Sequence, residues 1–202
     1  DPGLQNGWYL PVVMSFVCNT GDFGNDYSGS GLDKCFGETL TTGGSINNPK
    51  GAAAMIGPSD LDTDTRFNNV ICGAMWDGLL EHKVNELGPA LHYGKVAVLN
   101  EFEGLVTGTN PTNIPYFYYH VYGVLGDPSL PVWLGSPQNM IADIESNSTL
   151  SSSYISTLVK DEESNTLLMD VVGALIYEGK LISKGLSNGD GQLVIDFPNE
   201  YA

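Results

Sequence analysis

The sequence predicts an α/β layer structure over residues 1–136, followed by an antiparallel β-sandwich over residues 137–202. Two short apolar runs, residues 12–18 and 51–57, flank a segment whose apolar side chains recur at helical spacing. This pattern is typical of a strand–helix–strand unit with a parallel sheet. From residue 137 the chain becomes rich in Ser and Thr, and its apolar runs become short and closely spaced, which favours an antiparallel sandwich.

Further elements of the first part follow from apolar spacing. Apolar side chains between Val70 and Val84 recur at the intervals of an amphipathic helix that covers the sheet. Residues 87–105 are ambiguous, because Val96-Ala97-Val98-Leu99 favours a strand while the wider spacing of apolar residues fits a helix. Residues 122–128 end in a turn, and residues 130–134 are predicted to form the last strand.

The second part is predicted to consist of short strands. We expect strands at residues 154–159, 167–172 and 192–197, and a hairpin at residues 174–182. Asn188-Gly189-Asp190-Gly191 predicts a turn before the last strand. A calcium loop is the weaker alternative there, because the later bidentate glutamate is missing. This part is short for a sandwich, so we expect it to be truncated.

The composition excludes several classes of protein. The chain has 24 acidic and 8 basic residues, a net charge of −16, so binding to a nucleic-acid backbone is excluded. No stretch approaches ~18 consecutive apolar residues, so no membrane-spanning helix is expected. With 42% hydrophobic and only 16% charged residues, the chain is not of the disordered class.

Cys18 is the most informative single residue. It lies at the carboxyl end of the first predicted strand, where open α/β sheets place their ligands and reacting groups. The small and polar turn Asn19-Thr20-Gly21-Asp22 follows at once, so backbone N–H groups would be available to an oxyanion. A buried structural cysteine is the alternative, and position alone leaves both open.

Four motifs follow one another in an order that identifies a family. They are Val17-Cys18-Asn19-Thr20-Gly21-Asp22-Phe23, Cys35-Phe36-Gly37-Glu38-Thr39-Leu40, Lys50-Gly51-Ala52-Ala53-Ala54-Met55-Ile56-Gly57 and Leu125-Gly126-Asp127-Pro128-Ser129-Leu130. Over about residues 8–136 the chain resembles the gingipain family of cysteine peptidases. The resemblance implies a caspase-like α/β fold with a mostly parallel sheet flanked by helices, of which this chain would hold the C-terminal half. It also implies a following immunoglobulin-like domain and a secreted bacterial protein.

The resemblance also implies roles for single residues. Cys18 aligns with the nucleophile, which attacks a peptide carbonyl and forms an acyl-enzyme. Its backbone N–H would supply half of the oxyanion hole. Glu38 and Asp127 also match the family's motifs, and we interpret both as structural, the first at a helix start and the second in a turn.

The chain departs from the family's pattern in its histidines. The family's general base is a histidine in a His-Gly segment before the nucleophile, and no histidine precedes Cys18 here. His82 and His92 are predicted on surface helices and His120 in an aromatic run, all with structural roles. We therefore expect the base to lie in the N-terminal half of the same polypeptide, outside this chain, and the isolated chain to be a poor peptidase.

Three alternating carboxylates follow the second predicted strand, at the sheet edge that holds Cys18. Asp60, Asp62 and Asp64 would face a basic substrate side chain, bind Ca²⁺, or form a solvated acidic loop. No cofactor is required by the resemblance, and calcium is the one ion that the loop suggests. Cys35 and Cys72 are predicted to be buried thiols, with a disulfide between them as the alternative.

Two other classes of function remain open. In the first, a catalytically idle, peptidase-derived module acts in extracellular adhesion or filament assembly through sheet edges. In the second, a pseudo-enzyme serves as a carrier or secretion accessory. A histidine before Asp1 in the parent sequence would favour the enzyme. Asn147-Ser148-Thr149 also fits the N-glycosylation pattern, which is a weak signal.

Overall fold

The computed structural model describes residues 3–24, 33–110, 112–144 and 153–201. The chain divides into two compact units, Asp1–Leu134 and Gly135–Ala202, close to the predicted boundary between residues 136 and 137. The predicted glycosylation pattern at Asn147 lies outside the described residues.

Within its described residues, the first unit is built on a three-stranded sheet. In chain order its elements are β1 (Val12–Met14), α1 (Phe36–Thr41), β2 (Gly44–Ser45), β3 (Asn48–Pro49), β4 (Ala54–Pro58), α2 (Thr65–Leu80), α3 (Leu87–Glu101), a 3-10 turn (Glu103–Leu105), α4 (Pro115–Val121) and β5 (Tyr122–Leu125). The sheet has the order β1-β4-β5, and β2 pairs with β3 as a separate ribbon. None of the described helices is long and apolar enough to span a bilayer.

The described sheet is mixed, where the sequence predicted a mostly parallel one. β1 runs parallel to β4, as expected from the strand–helix–strand pattern, but β5 runs antiparallel to β4. Residues 130–134 were predicted to form the last strand, and this is wrong. They make only a single bridge, between Pro131 and Glu86. Pro131 has no N–H for a ladder, and Val132 N–H donates instead to Asn85 O before α3.

β4 lies at the centre of the sheet and is buried along its whole length. Met55 lies on the face that α1 covers, because a Cβ at Gly37 would be 3.1 Å from its sulfur. Its neighbours along the strand lie on the opposite face, which α2, α3 and α4 cover. The core of that face consists of Ala54, Ile56, Phe67, Ile71, Met75, Leu87, Leu91, Val98, Tyr118 and Tyr122.

The ambiguous segment forms α3 from Leu87 to Glu101. The β-branched residues near Val98 favour a strand locally, but Leu87, Leu91 and Val98 lie on one helical face and are buried in the core. Burial of that face therefore outweighs the local strand preference.

The second unit consists of antiparallel strands. In chain order they are β6 (Met140–Ala142), β7 (Tyr154–Asp161), β8 (Val172–Tyr177), β9 (Lys180–Leu186) and β10 (Gln192–Asp196), before a 3-10 turn (Asn199–Tyr201). β10, β7 and β6 form one sheet, while β8 and β9 form a hairpin. A small core of Val159, Leu193 and Ile195 packs against Leu168, Val171 and Leu175. The immunoglobulin-like identity of this unit stays a prediction.

The predicted turn chemistry of the second unit is confirmed at two sites. The β8–β9 hairpin turns at Glu178 and Gly179, which both have positive φ, at 47° and 76°. Asn188 Oδ1 accepts from the N–H groups of Asp190 and Gln192, so the predicted turn precedes β10. The predicted strand at residues 167–172 is wrong, because Asp170 has a φ of 61° and the ladder begins only at Val172.

Candidate active site

Cys18 lies in a turn after β1, at the sheet edge where the parallel strands β1 and β4 both end. Backbone hydrogen bonds tie this turn to β4 and to the loop that follows β4. They run from Ser15 N–H to Ile56 O (2.8 Å), from Gly21 N–H to Pro58 O (2.9 Å) and from Asn19 N–H to Asp60 O (2.9 Å). The thiol is therefore carried by a turn that is anchored on both sides of its own position.

The turn itself has a special backbone conformation. Asn19 has a φ of 46°, in the left-handed region that Asn tolerates better than most residues. The Thr20 hydroxyl lies 2.9 Å from both Ser15 Oγ and Val17 O, and Thr20 O accepts from Gly37 N–H at the start of α1. These contacts stabilise the reversal of the chain directly after Cys18.

Gly21 and Gly57 let this turn approach β4 closely. A Cβ at Gly21 would lie 2.7 Å from Gly57 O and 2.9 Å from Gly57 C, both backbone atoms. A Cβ at Gly57 would in turn lie 2.9 Å from the Thr20 hydroxyl and 3.1 Å from Gly21 N. Backbone atoms cannot rotate out of the way as the end of a side chain can. The position of the Cys18 turn therefore depends on glycine at positions 21 and 57.

The Cys18 thiol is half-buried and contacts Thr63 in the loop after β4. The Thr63 hydroxyl donates to Cys18 Sγ at 3.3 Å, and Sγ lies 3.9 Å from Thr63 O, to which the thiol can donate. Within the described residues, the Cys18 backbone N–H makes no hydrogen bond. The turn therefore presents an unpaired N–H beside a thiol that already accepts a hydrogen bond.

A chain of buried polar groups extends from Thr63 into the core. Asn68 Nδ2 donates to Thr63 Oγ1 and to Phe16 O, both at 3.3 Å, and Tyr122 OH donates to Asn68 Oδ1 at 2.7 Å. Asn68 is 5% exposed and Tyr122 is 1% exposed. Burial, and to a smaller extent the neighbouring Tyr118 and Cys18, raise the pKa of Tyr122 well above its ordinary value. Tyr122 is therefore a neutral hydrogen-bond donor at physiological pH.

Tyr118 anchors the end of the same loop. Its hydroxyl accepts from Asp64 N–H at 2.5 Å, and its ring stacks on Phe67 with centroids 4.4 Å apart. Burial raises the pKa of Tyr118 above its ordinary value. The loop between β4 and α2 is thus held at Asp60 by the Cys18 turn and at Asp64 by the core.

The three carboxylates of this loop do not act alike. Asp60 Oδ1 accepts from Asp62 N–H at 2.8 Å, and Asp64 caps α2 through Arg66 N–H at 2.8 Å. Arg66 also pairs with Asp64 Oδ2 at 3.4 Å and donates to Asn113. Among the described residues, no group of three or more His, Cys, Asp or Glu side chains is placed to hold a metal ion, and calcium at this loop stays a prediction. The exposed Asp62 carboxylate makes none of the hydrogen bonds or ion pairs found in the described residues.

The three histidines are engaged elsewhere. His82, beyond the end of α2, pairs with Asp77 at 3.3 Å and lies against the Tyr93 ring. His92 Nδ1 lies 3.1 Å from Tyr119 OH, and the exposed His120 ring lies 6.3 Å from the Tyr119 ring. All three histidines lie in the described residues, and none forms a hydrogen bond or an ion pair with Cys18.

The other two cysteines are free thiols, as Cys18 is, and the alternative of a disulfide between them is wrong. Cys35 is buried as predicted, whereas Cys72 is only half-buried. Cys35 caps α1, with its sulfur accepting from Glu38 N–H while its own N–H donates to Glu38 Oε2 at 3.0 Å. Burial raises the pKa of both Cys35 and Cys72. α1 and α2 cover opposite faces of the sheet, so their cysteines cannot meet.

Both residues interpreted as structural have capping or turn contacts. Glu38 completes the capping box of α1, and Asp127 Oδ1 accepts from the N–H and hydroxyl of Ser129 at 2.8 and 2.7 Å. The Ser129 hydrogen bonds lower the pKa of Asp127. Neither residue contacts Cys18.

Sequence reasoning missed Thr63, Asn68 and Tyr122. One signal was present for Asn68, a polar residue that lies between the buried Phe67 and Ile71 on the apolar face of α2. A buried amide on such a face requires hydrogen-bond partners, which points to a polar cluster beneath it. No comparable signal marked Thr63, because its role depends on the path of a loop.

A cysteine in a turn at the carboxyl edge of an α/β sheet is an arrangement suited to covalent catalysis by a thiol. The sequence profile of Peptidase family C25 matches residues 2–133, so the chain belongs to this family. The predicted resemblance to gingipain-type peptidases is thereby confirmed.

Solved structures with the same fold are proteases. The crystal structure of the Arg-specific cysteine proteinase gingipain R (RgpB) gives a TM-score of 0.74 at 19% identity, over 95% of this chain and 40% of that one. A complex of Porphyromonas gingivalis RgpB pro- and mature domains gives 0.75 at 19% identity, over 95% and 41%. A third structure, described only as a protease, gives 0.68 at 20% identity, over 92% and 40%. The chain spans about 40% of the length of these relatives. No curated protein sequence gives a significant match.

Proposed function

We propose that this chain is part of a secreted, gingipain-like cysteine endopeptidase whose nucleophile is Cys18. The observation that carries the proposal is the position of its half-buried thiol, in an anchored turn at the carboxyl edge of β1 and β4, within a chain of family C25. Cys35 is buried and caps a helix, and Cys72 lies within α2, so neither is carried by a turn at this edge of the sheet.

The proposed reaction is acyl transfer through a thioester. The Cys18 thiolate attacks the peptide carbonyl carbon, and the carbonyl oxygen becomes an oxyanion that the unpaired Cys18 N–H can stabilise. The C–N bond then breaks, and the amine leaves with the proton that the base took from the thiol. Water, deprotonated by the same base, hydrolyses the thioester and frees Cys18.

The proposal places the general base outside the residues of this chain. Its three histidines have other partners, and none contacts Cys18. A histidine contributed by another part of a longer polypeptide would complete the site. The length of the relatives, of which this chain spans about 40%, supports such an arrangement.

The acidic loop supports a proposal about the substrate. Asp62 is exposed on the loop after β4. Hydrogen bonds from Asn19 N–H to Asp60 O and from the Thr63 hydroxyl to Cys18 Sγ join this loop to the Cys18 turn. With 24 acidic and 8 basic residues, the chain also favours basic partners through its overall field. We therefore propose that the site prefers peptides with a basic side chain near the scissile bond, and that the protein acts outside a bacterial cell.

The test compares the full-length protein with the 202-residue chain on fluorogenic peptides that carry a basic or a neutral side chain. The full-length protein is expected to hydrolyse them, the basic set faster, and the chain alone to show no hydrolysis. Iodoacetamide is expected to label Cys18 slowly at pH 7 in the chain alone, because none of the three histidines, all described, contacts the thiol.

Two results would contradict this proposal. Full activity of the chain alone, with fast stoichiometric labelling of Cys18, would place the base within these residues. A folded full-length protein that cleaves no peptide would favour the idle module in adhesion or assembly.

A further inference from the structure

The hydrogen-bond chain behind Cys18 has a fixed direction. Phe16 O can only accept, so the Asn68 amide must turn Nδ2 toward it and Oδ1 toward Tyr122 OH. In this orientation Nδ2 also donates to Thr63 Oγ1. The Thr63 hydroxyl, with one proton and its oxygen already accepting, directs that proton to Cys18 Sγ.

Each member of the chain is held by burial as well as by hydrogen bonds. Asn68 and Tyr122 are almost completely buried, and no buried side-chain polar atom in the described residues lacks a partner. Rotation of the Asn68 amide would oppose two oxygens at Phe16 and leave Tyr122 without its acceptor. The proton of Thr63 is thus committed to the sulfur before any substrate binds.

A committed donor favours the charged form of its acceptor, because hydrogen bonds to ions are about twice as strong as neutral ones. The competing contact, from the thiol to Thr63 O, favours the neutral form but is longer, at 3.9 Å against 3.3 Å. The shorter contact dominates, so the Thr63 hydroxyl fixes the position of the sulfur and stabilises the charge that it carries when it attacks.

We propose that Thr63 is a positioning residue for the Cys18 nucleophile, and that Asn68 and Tyr122 act through it by holding its hydroxyl proton on the sulfur. The inference rests on the proposed function for its catalytic meaning. The effect on the reactivity of Cys18 can be measured without peptide hydrolysis, so the two proposals fail separately.

The test uses the 202-residue chain and follows alkylation of each cysteine by iodoacetamide from pH 5 to 10, resolved by peptide mass spectrometry. Thr63→Val keeps the shape of the side chain but removes the hydroxyl. It is expected to slow alkylation of Cys18 about tenfold at pH 7, because the sulfur loses the hydrogen bond that positions it. Thr63→Ala, which removes the same group with less bulk, is expected to slow alkylation to the same extent.

Two controls separate this effect from a loss of structure. Thr63→Ser retains the hydroxyl and is expected to stay within about twofold of the wild-type rate. Thr65→Val changes an exposed threonine two residues away and is expected to leave the profile unchanged. In every sample the rate at Cys72 reports the integrity of the fold.

The proposal is overturned if the Thr63→Val and Thr63→Ala profiles superimpose on the wild type. It is also overturned if Thr63→Ser slows alkylation of Cys18 as much as Thr63→Val does, since the hydroxyl would then not be the cause. An equal slowing of alkylation at Cys72 would show a general change in the protein and would count against the proposal as well.

Discussion

Replacement of Cys18 by alanine is expected to lower kcat/KM of the full-length protein for peptide hydrolysis by at least ~10³-fold. Loss of the nucleophile removes the covalent route, and a binding site with its oxyanion donor retains only a small residual rate. The measurement is the initial rate of hydrolysis of a fluorogenic peptide, below saturation, by wild-type and variant protein at equal concentration.

The matched control is Cys72→Ala, which removes a thiol from the middle of α2, away from the turn. Its kcat/KM is expected to stay within about threefold of the wild-type value, since a half-buried Cys contributes mainly packing. Retention of more than a tenth of the activity by Cys18→Ala would rule out Cys18 as the nucleophile.

Replacement of Gly21 by alanine is expected to displace the Cys18 turn and to destabilise the first unit by ~1–3 kcal/mol. The new Cβ would lie 2.7 Å from Gly57 O, so the turn must move away from β4 or β4 must yield. Two hydrogen bonds lie next to this contact and would lengthen, from Gly21 N–H to Pro58 O and from Asn19 N–H to Asp60 O. Thermal unfolding of the 202-residue chain is expected to begin about 3–10 °C lower.

Gly24→Ala provides the control, because a Cβ at Gly24 would have no described atom within 4 Å. Its unfolding is expected to stay within ~0.5 kcal/mol of the wild type. If Gly21→Ala and Gly24→Ala unfold alike, the close approach of Gly21 to Gly57 does not fix the turn.

The edge position of Cys18 could be predicted because it depends on local patterns. Residues 12–18 and 51–57 are short apolar runs with a helical segment between them, and parallel pairing of β1 with β4 follows from that order. The turn after Cys18 was marked by its Asn, Thr and Gly residues, which adopt reversals at low cost. Short-range information sufficed for both features.

The sheet direction of β5 could not be predicted from the same kind of pattern. Tyr122–Leu125 is a short apolar run before a Gly-Asp-Pro turn, and such a run fits either direction. Its antiparallel pairing follows from α4, which leads directly into it and buries Tyr118 in the core. This packing involves residues far apart in the sequence.

The partners of Cys18 depend on contacts across the fold as well. Thr63 reaches the sulfur because the loop after β4 is fixed by Asn19 N–H at one end and Tyr118 OH at the other. The spacing of residues along the chain does not predict these contacts. It indicated the alternating carboxylates as the site instead, but Asp60 accepts a hydrogen bond within the loop and Asp64 caps α2.

The most direct test of the central claim is to identify the residue that a substrate-like electrophile modifies. The full-length protein would be treated with a peptidyl acyloxymethyl ketone that carries a basic side chain, and the adduct would be located by peptide mass spectrometry. One adduct per chain on Cys18, formed at the rate at which hydrolysis is lost, is the predicted result. Loss of hydrolysis with the adduct on Cys35, on Cys72 or outside this chain would contradict it.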